Sequence, residues 1–172
     1  MCYSSCPQRF YGDFQTLSCK SCLYDCLTCN SSGHCLSCDD SNDFRIIDNQ
    51  TFRCTPLNGY YDNGTTVALQ CSQGCAICQN STFCSGCQSG NFLRSENLCH
   101  STCLPRFFPN SSSLICESCP FDCYTCDNTG NCLTCSAQLD FRVLNTSTSR
   151  CNPQAGYYES NVSQSGRCPE GC

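Results

Sequence analysis

The stretch CKSCLYDCLTCNSSGHCLSC (residues 19–38) returns, every cysteine in place, as CESCPFDCYTCDNTGNCLTC (residues 116–135), 97 residues further on. Working outward from it without a gap, Cys2, Cys6, Cys54, Cys71 and Cys75 meet Cys99, Cys103, Cys151, Cys168 and Cys172 in the same register. Other residues keep that register too: Arg9 with Arg106, Phe10 with Phe107, Asp43-Phe44-Arg45 with Asp140-Phe141-Arg142, and Gly59-Tyr60-Tyr61 with Gly156-Tyr157-Tyr158. Repetition at a fixed period decides the architecture before any strand or helix is assigned.

Half of that period is itself visible. The core C-x3-C-x2-C-x5-C-x2-C spans Cys22–Cys38, Cys71–Cys87 and Cys119–Cys135, and begins again at Cys168 and Cys172, with starts 49, 48 and 49 residues apart. Four half-units follow, 2–54, 55–98, 99–151 (a repeat of the first) and a truncated fourth, 152–172, so the chain reads as a slice of a longer tandem array. Gly, Asn, Asp, Ser and Pro between the cysteines signal turns, and Phe44-Arg45-Ile46-Ile47 and Phe141-Arg142-Val143-Leu144 signal short hairpin arms. No apolar periodicity of 3.6 residues is long enough for a helix. The expected fold is small and disulfide-rich: an elongated rod of short β-hairpin half-units, a cysteine-rich solenoid with almost no helix.

Composition explains why cysteine must carry the fold. Leu, Ile, Val and Phe together supply only 30 of 172 residues, against 25 cysteines. Such a chain, reduced, cannot offset roughly 1 to 2 kcal/mol of backbone entropy per residue by apolar burial. Closing an eight-residue loop with a disulfide contributes roughly 2.5 kcal/mol in the chain-entropy model. This cysteine density places the folded chain in an oxidising setting, extracellular or at a cell surface. A net charge of -5 with Lys20 the sole lysine leaves no basic stripe for nucleic acid, and no run of about 18 apolar residues exists for direct membrane insertion. Residues 1 onward lack a charged and then apolar leader, and Met1 falls at the position of Leu98 in the repeat.

The pairing is readable from a coordinated absence. Half-units one and three precede their cores with Cys6 and Cys19, or Cys103 and Cys116, whereas the second and fourth hold Asn58 with Ala68 and Ala155 with Ser165. Joint loss of both members is the pattern expected of bonded pairs, Cys6 to Cys19 and Cys103 to Cys116. The remaining spacing favours Cys22 with Cys29, Cys26 with Cys35 and Cys38 with Cys54. It repeats as Cys71 with Cys78, Cys75 with Cys84, Cys87 with Cys99, then Cys119 with Cys126, Cys123 with Cys132, and Cys135 with Cys151. Cys2, Cys168 and Cys172 are left over, and their partners are expected outside the segment.

The string Cys6-Pro7, Phe10-Tyr11, Cys19-x2-Cys22-x3-Cys26-x2-Cys29-x5-Cys35-x2-Cys38, with Gly59-Tyr60-Tyr61, resembles the furin-like repeat of growth-factor-receptor cysteine-rich domains. The resemblance covers essentially the whole chain, and similar arrays occur in large protist surface proteins. It implies rods of disulfide-laddered hairpins without catalytic activity, serving as spacers, adhesion arms or ligand-binding modules. The reading it favours is a structural extracellular glycoprotein rod, a repeat segment of a surface or filament-forming protein. Its partners are neighbouring repeats or subunits and N-linked glycans. The alternative is a ligand-binding module of a receptor or secreted signal.

Other chemistry is weaker. The C-x2-C pairs are zinc-like in spacing, but the interleaved x3 gap and the deletable pair point to disulfides, so no metal or cofactor is expected. No catalytic set of Ser, His and Asp, of Cys and His, or of paired carboxylates is evident. Seven sequons, Asn30, Asn49, Asn63, Asn80, Asn110, Asn145 and Asn161, exceed the roughly three that random placement gives with 14 asparagines and 37 serines and threonines, and so point to glycan. The recurring pairs Phe10-Tyr11, Tyr60-Tyr61, Phe107-Phe108 and Tyr157-Tyr158 are expected to pack on neighbouring disulfides. Arg45 and Arg142 follow Asp43 and Asp140 in matching loops and are read as a repeated local ion pair or an interface contact, of small energy if exposed.

Overall fold

A computed structural model describes residues 5–169. Among them every regular element is a short strand, and no α-helix occurs. The chain divides into two compact units at Cys87 and Gln88.

In the first unit β1 (Phe10–Asp13) pairs with β2 (Ser18–Ser21), β3 (Thr28–Cys29) with β4 (Cys35–Ser37), and β5 (Arg45–Asp48) with β6 (Arg53–Pro56). The hairpins β7 (Tyr60–Tyr61) with β8 (Leu69–Gln70) and β9 (Cys75–Asn80) with β10 (Phe83–Cys87) complete it. In the second unit β11 (Phe92–Leu93) and β12 (Cys99–His100) join β13 (Phe107–Asn110) and β14 (Ile115–Ser118) in one sheet of order β12-β11-β14-β13. Three two-stranded hairpins follow: β15 (Thr125–Cys126) with β16 (Cys132–Thr134), β17 (Arg142–Asn145) with β18 (Arg150–Pro153), and β19 (Tyr157–Tyr158) with β20 (Gly166–Arg167). The hairpin β1–β2 and its copy β13–β14 share one register, Phe10 facing Ser21 as Phe107 faces Ser118.

The four hairpins with four-residue strands turn by one device. Each has a four-residue tip, a loop length built around a type I turn. The last strand residue, Asp13, Asp48, Asn110 or Asn145, accepts a hydrogen bond on its side-chain oxygen from the N–H two residues on, at 2.8 to 3.0 Å. The fourth tip residue is left-handed: Leu17 (φ 52°), Phe52 (φ 54°), Leu114 (φ 55°) and Ser149 (φ 51°). A non-glycine residue there costs about 1 kcal/mol. Only the surrounding cross-links and ladder make that conformation persist.

The interior is sulfur. The described disulfides join Cys6 to Cys19, Cys22 to Cys29, Cys26 to Cys35, Cys38 to Cys54, Cys71 to Cys78 and Cys75 to Cys84 in the first unit. In the second they join Cys103 to Cys116, Cys119 to Cys126, Cys123 to Cys132 and Cys135 to Cys151. Cys87 and Cys99 are each disulfide-bonded. Cys2 and Cys172 lie outside the described residues, and Cys168 is half-buried after β20, its N–H donating to Gly156 O at 2.9 Å.

Buried Cys26, Cys29, Cys35 and Cys54 form one core cluster, and Cys123, Cys126, Cys132 and Cys151 form its copy. Tyr11 packs on the first and Phe108 on the second, as expected of rings beside disulfides. Their neighbours Phe10 and Phe107 do not follow, being 43% and 40% exposed, and in the even half-units Tyr60 and Tyr157 stack on Phe44 and Phe141 instead.

Burial ranks the cross-links in a way loop length does not. The loop-closure contributions of Cys6–Cys19 and Cys26–Cys35 are similar, about 3 kcal/mol each, and slightly larger for the longer loop. Cys26 and Cys35 are fully buried, whereas Cys19 is exposed. We expect Cys26→Ala/Cys35→Ala to cost about 2 kcal/mol more than Cys6→Ala/Cys19→Ala in denaturant unfolding, because it also empties the core. Equal costs, or the reverse order, would show that chain entropy alone sets the contribution.

Candidate functional site

A buried arginine fastens the first half-unit to the second, and its copy fastens the third to the fourth. Phe44 takes a left-handed conformation (φ 55°) just ahead of β5, and Phe141 repeats it (φ 55°) ahead of β17. That reversal lays the Phe44 ring on Tyr60 and the Phe141 ring on Tyr157, with centroids 4.4 Å apart in both pairs. The next residue, Arg45 or Arg142, is completely buried.

Both guanidinium groups use all five N–H donors on the following hairpin or on the partner strand of their own hairpin. Arg45 Nε donates to Thr66 O (2.9 Å), Nη1 to Cys54 O (3.2 Å) and Asp62 Oδ2 (3.3 Å), and Nη2 to Asp62 Oδ1 (3.0 Å) and Thr65 O (2.8 Å). Arg142 repeats the pattern on Ser163 O, Cys151 O, both oxygens of Glu159, and Val162 O, between 2.6 and 3.0 Å. The Tyr24 ring lies 5.4 Å from the Arg45 guanidinium carbon, and Phe121 lies 5.5 Å from that of Arg142. Each guanidinium therefore sits between a ring, three backbone carbonyls and a carboxylate.

The expected local partnership of Arg45 with Asp43, and of Arg142 with Asp140, does not form. Asp43 instead receives Arg9 at 2.6 Å and Asp140 receives Arg106 at 2.6 Å, while the buried arginines reach 17 residues forward to Asp62 and Glu159. Nor are these surface contacts of small energy, since both arginine side chains are wholly enclosed. The left-handed phenylalanine between the two charged residues points them apart, and sequence spacing gives no sign of it.

A third repeated pair buttresses the cystine cluster. Arg53 donates to both oxygens of buried Asp25 (2.7 and 2.9 Å), which also accepts the Cys54 N–H at 3.0 Å. Asp122 takes a single bond from Arg150, on Oδ1, and likewise accepts the Cys151 N–H at 3.0 Å. Burial opposes ionisation of Asp25, but the Arg53 guanidinium and the Cys54 N–H outweigh it and hold its carboxyl below the usual value. These residues also recur 97 positions apart, which was the available signal; nothing in the pattern shows that an aspartate lies inside.

The joint between the second and third half-units is of another kind. Leu93 of β11 pairs in parallel with Ile115 of β14, and its N–H donates to Leu114 O at 2.8 Å. Arg94 sits half-buried beside it, giving two hydrogen bonds to Thr102 O at 3.1 and 2.7 Å. Two kinds of joint thus alternate along the chain.

No sequon asparagine is buried. Asn30, Asn63, Asn80, Asn110 and Asn145 accept a hydrogen bond on Oδ1 from the N–H two residues on, that of the sequon Ser or Thr, at 2.9 to 3.3 Å. Asn49 lies in the β5–β6 tip, and Asn161 is left-handed (φ 57°) in the loop before β20. One repeat away, Asp13, Asp48 and Asp127 make the same turn where Asn110, Asn145 and Asn30 stand. Turn geometry by itself therefore favours Asn or Asp at these positions. Asn110 also donates from Nδ2, to Glu117 Oε1 at 2.7 Å.

Sulfur and carboxylate groups crowd together at Cys71, Cys75 and Cys78, at Asp25, Cys26 and Cys35, and at Asp122, Cys123 and Cys132. These sulfurs are bonded in disulfides and offer no thiolate to a metal.

The chain is 28% identical over 153 residues to a protein named cysteine repeat modular protein 2, from Tetrahymena thermophila. The match takes in 87% of this chain but only 6% of that protein. No family model matches the chain.

The Arg45 guanidinium holds the Asp62 carboxyl down to about 2, against its burial, and the Arg142 guanidinium holds that of Glu159 down to about 2. A carboxyl depressed in the folded state contributes stability at pH above its unfolded value and loses it as pH falls through the folded one, so both joints should weaken between about pH 4 and 2. Arg45→Met should cost about 3 kcal/mol at neutral pH, the low end for breaking a buried pair because Asp62 keeps partial access to water. It should also shrink the acid-dependent loss in urea unfolding. A variant as stable as the parent, with an unchanged acid limb, would show that Arg45 does not fasten the joint. These findings make the chain a cysteine-rich repeat protein.

Proposed function

We propose that this chain is a structural, non-enzymatic segment of an extracellular glycoprotein, a rod of furin-like half-units within a surface or filament-forming protein. The observation that carries the reading is the buried arginine joint, rebuilt group for group one repeat later even where its carboxylate changes from Asp62 to Glu159. A binding site for a soluble ligand gains nothing from being duplicated in the interior. A joint transmitting stiffness from unit to unit does, because in a repeat array stability is summed over neighbour contacts.

The setting agrees with the reading. Disulfides at this density persist in oxidising, extracellular surroundings, and among the described residues no helix is long and apolar enough to cross a membrane. The partners are neighbouring repeats and N-linked sugars, not nucleic acid, for which the acidic surface is unsuited. The resemblance of the protein to one named as modular supports assembly from repeats.

Small-angle scattering of chains carrying one, two and three copies of the 97-residue repeat tests the rod. The maximum dimension should grow in proportion to copy number. Growth that levels off would mean that copies fold back on one another, and a receptor-like capture module would then be the better description.

Glycan occupancy supplies a second test, by peptide mapping of the protein secreted from a glycosylating host. Most of the seven asparagines should carry sugar, with Asn110 the least occupied because its Nδ2 is already bonded to Glu117. Occupancy at fewer than about three, the number that chance placement gives, would assign the sequons to turn geometry alone.

A further inference from the structure

In the second unit the hairpin β13–β14 is not left open. Strand β11 lies parallel to the outer edge of β14, and β12 extends the sheet beyond it. Under that cover Leu114, Cys116 and Glu117 are half-buried, and Leu93, Leu104, Phe107 and Ile115 line a cleft of about 170 Å³.

The same edge receives the preceding half-unit elsewhere. Ala68, just ahead of β8, donates its N–H to Asp43 O at 2.9 Å, and Ser165, just ahead of β20, donates to Asp140 O at 2.9 Å. Every described hairpin of this class that follows another half-unit is therefore contacted along its second strand.

The remaining one is β1–β2, identical in register to β13–β14. All four residues of β2 are exposed, Leu17 is 89% exposed and Phe14 is 92% exposed. Phe10, the counterpart of Phe107, is 43% exposed beside them. Leu17 nevertheless already holds the left-handed conformation (φ 52°) of its counterpart Leu114 (φ 55°), whose carbonyl accepts the strand. An open strand edge flanked by nearly bare leucine and phenylalanine is a template for another strand.

We infer that the β2 edge is the seat of a strand from the preceding half-unit of the same polypeptide, a hairpin of the Phe92–His100 kind. It joins parallel to β2, its leucine N–H donating to Leu17 O and its apolar side chains covering Leu17 and Phe10. The inference rests on the tandem-array reading and adds to it the acceptor surface and the donated element. A proline at the donor position is excluded, since it has no N–H to give.

The test uses the full chain extended at its N-terminus by a second copy of residues 71–97, so that Met1 falls where Leu98 stands and Cys2 where Cys99 stands. Amide hydrogen exchange compares the added leucine with Leu93 itself. The added amide should be protected to within about tenfold of Leu93, with nuclear Overhauser contacts to the Leu17 methyls. Leu17→Asp should abolish that protection yet leave β1–β2 intact, because Leu17 touches little in the unextended chain. An added leucine exchanging at the unfolded rate while disulfide mapping shows Cys2 bonded would overturn the docking. Lengthening in scattering would still uphold the rod in that event, so the two readings fail separately. Protection that appears only with concentration-dependent dimers would overturn the same-chain donor in favour of a second molecule.

Discussion

A chain with so few aliphatic and aromatic residues must shorten its own unfolded ensemble to fold, and closing loops of 7 to 16 residues with disulfides does this. The consequence reaches further than stability. Because each cluster of cystines takes up its half-unit's interior, large apolar side chains are displaced outward, which is why Phe14, Leu17, Leu36, Ile77 and Leu139 stand in solvent. Cross-linking also makes costly backbone conformations tolerable, as at the left-handed tip residues and at Phe44 and Phe141.

Sulfur holds each half-unit, but it leaves the problem of orientation between them. In the first and third half-units the solution is a planar cation with five donors, whose fork meets a carboxylate and three carbonyls at once. Lysine has no equivalent geometry. The fork also explains why Asp62 and Glu159 are interchangeable: the carbonyls fix the guanidinium, and the carboxylate adapts by one methylene. In the second half-unit, where no such arginine exists, strand addition by β11 takes over.

Sequence displayed the hairpin architecture because its determinants are local: cysteine spacing, turn residues, and short β-branched or aromatic arms. The jointly missing cysteines at Asn58 and Ala68 stand opposite a bond that the structure forms between Cys6 and Cys19. The joints were legible only in part. Recurrence marked Arg45 and Arg142 as special, but adjacency suggested Asp43 and Asp140, and the true partners differ in residue type between copies. A single positive φ at the intervening phenylalanine decides which carboxylate is reached. Adjacency in sequence is a poor guide wherever the backbone reverses.

The hairpin tips that accept either Asn or Asp bear on how such a molecule ages. Asparagine amides hydrolyse slowly to carboxylates, and outside the cell no machinery resynthesises a worn chain in place. Wherever Asn30, Asn110 or Asn145 carries no sugar, direct hydrolysis of the amide would give the residue that Asp127, Asp13 and Asp48 already present in the same turn. The acceptor oxygen survives the reaction, so the tip keeps its bond while the surface gains negative charge. Direct amide hydrolysis at these points alters electrostatics and leaves geometry alone, whereas closure to a succinimide and opening to isoaspartate would lengthen the backbone within the turn.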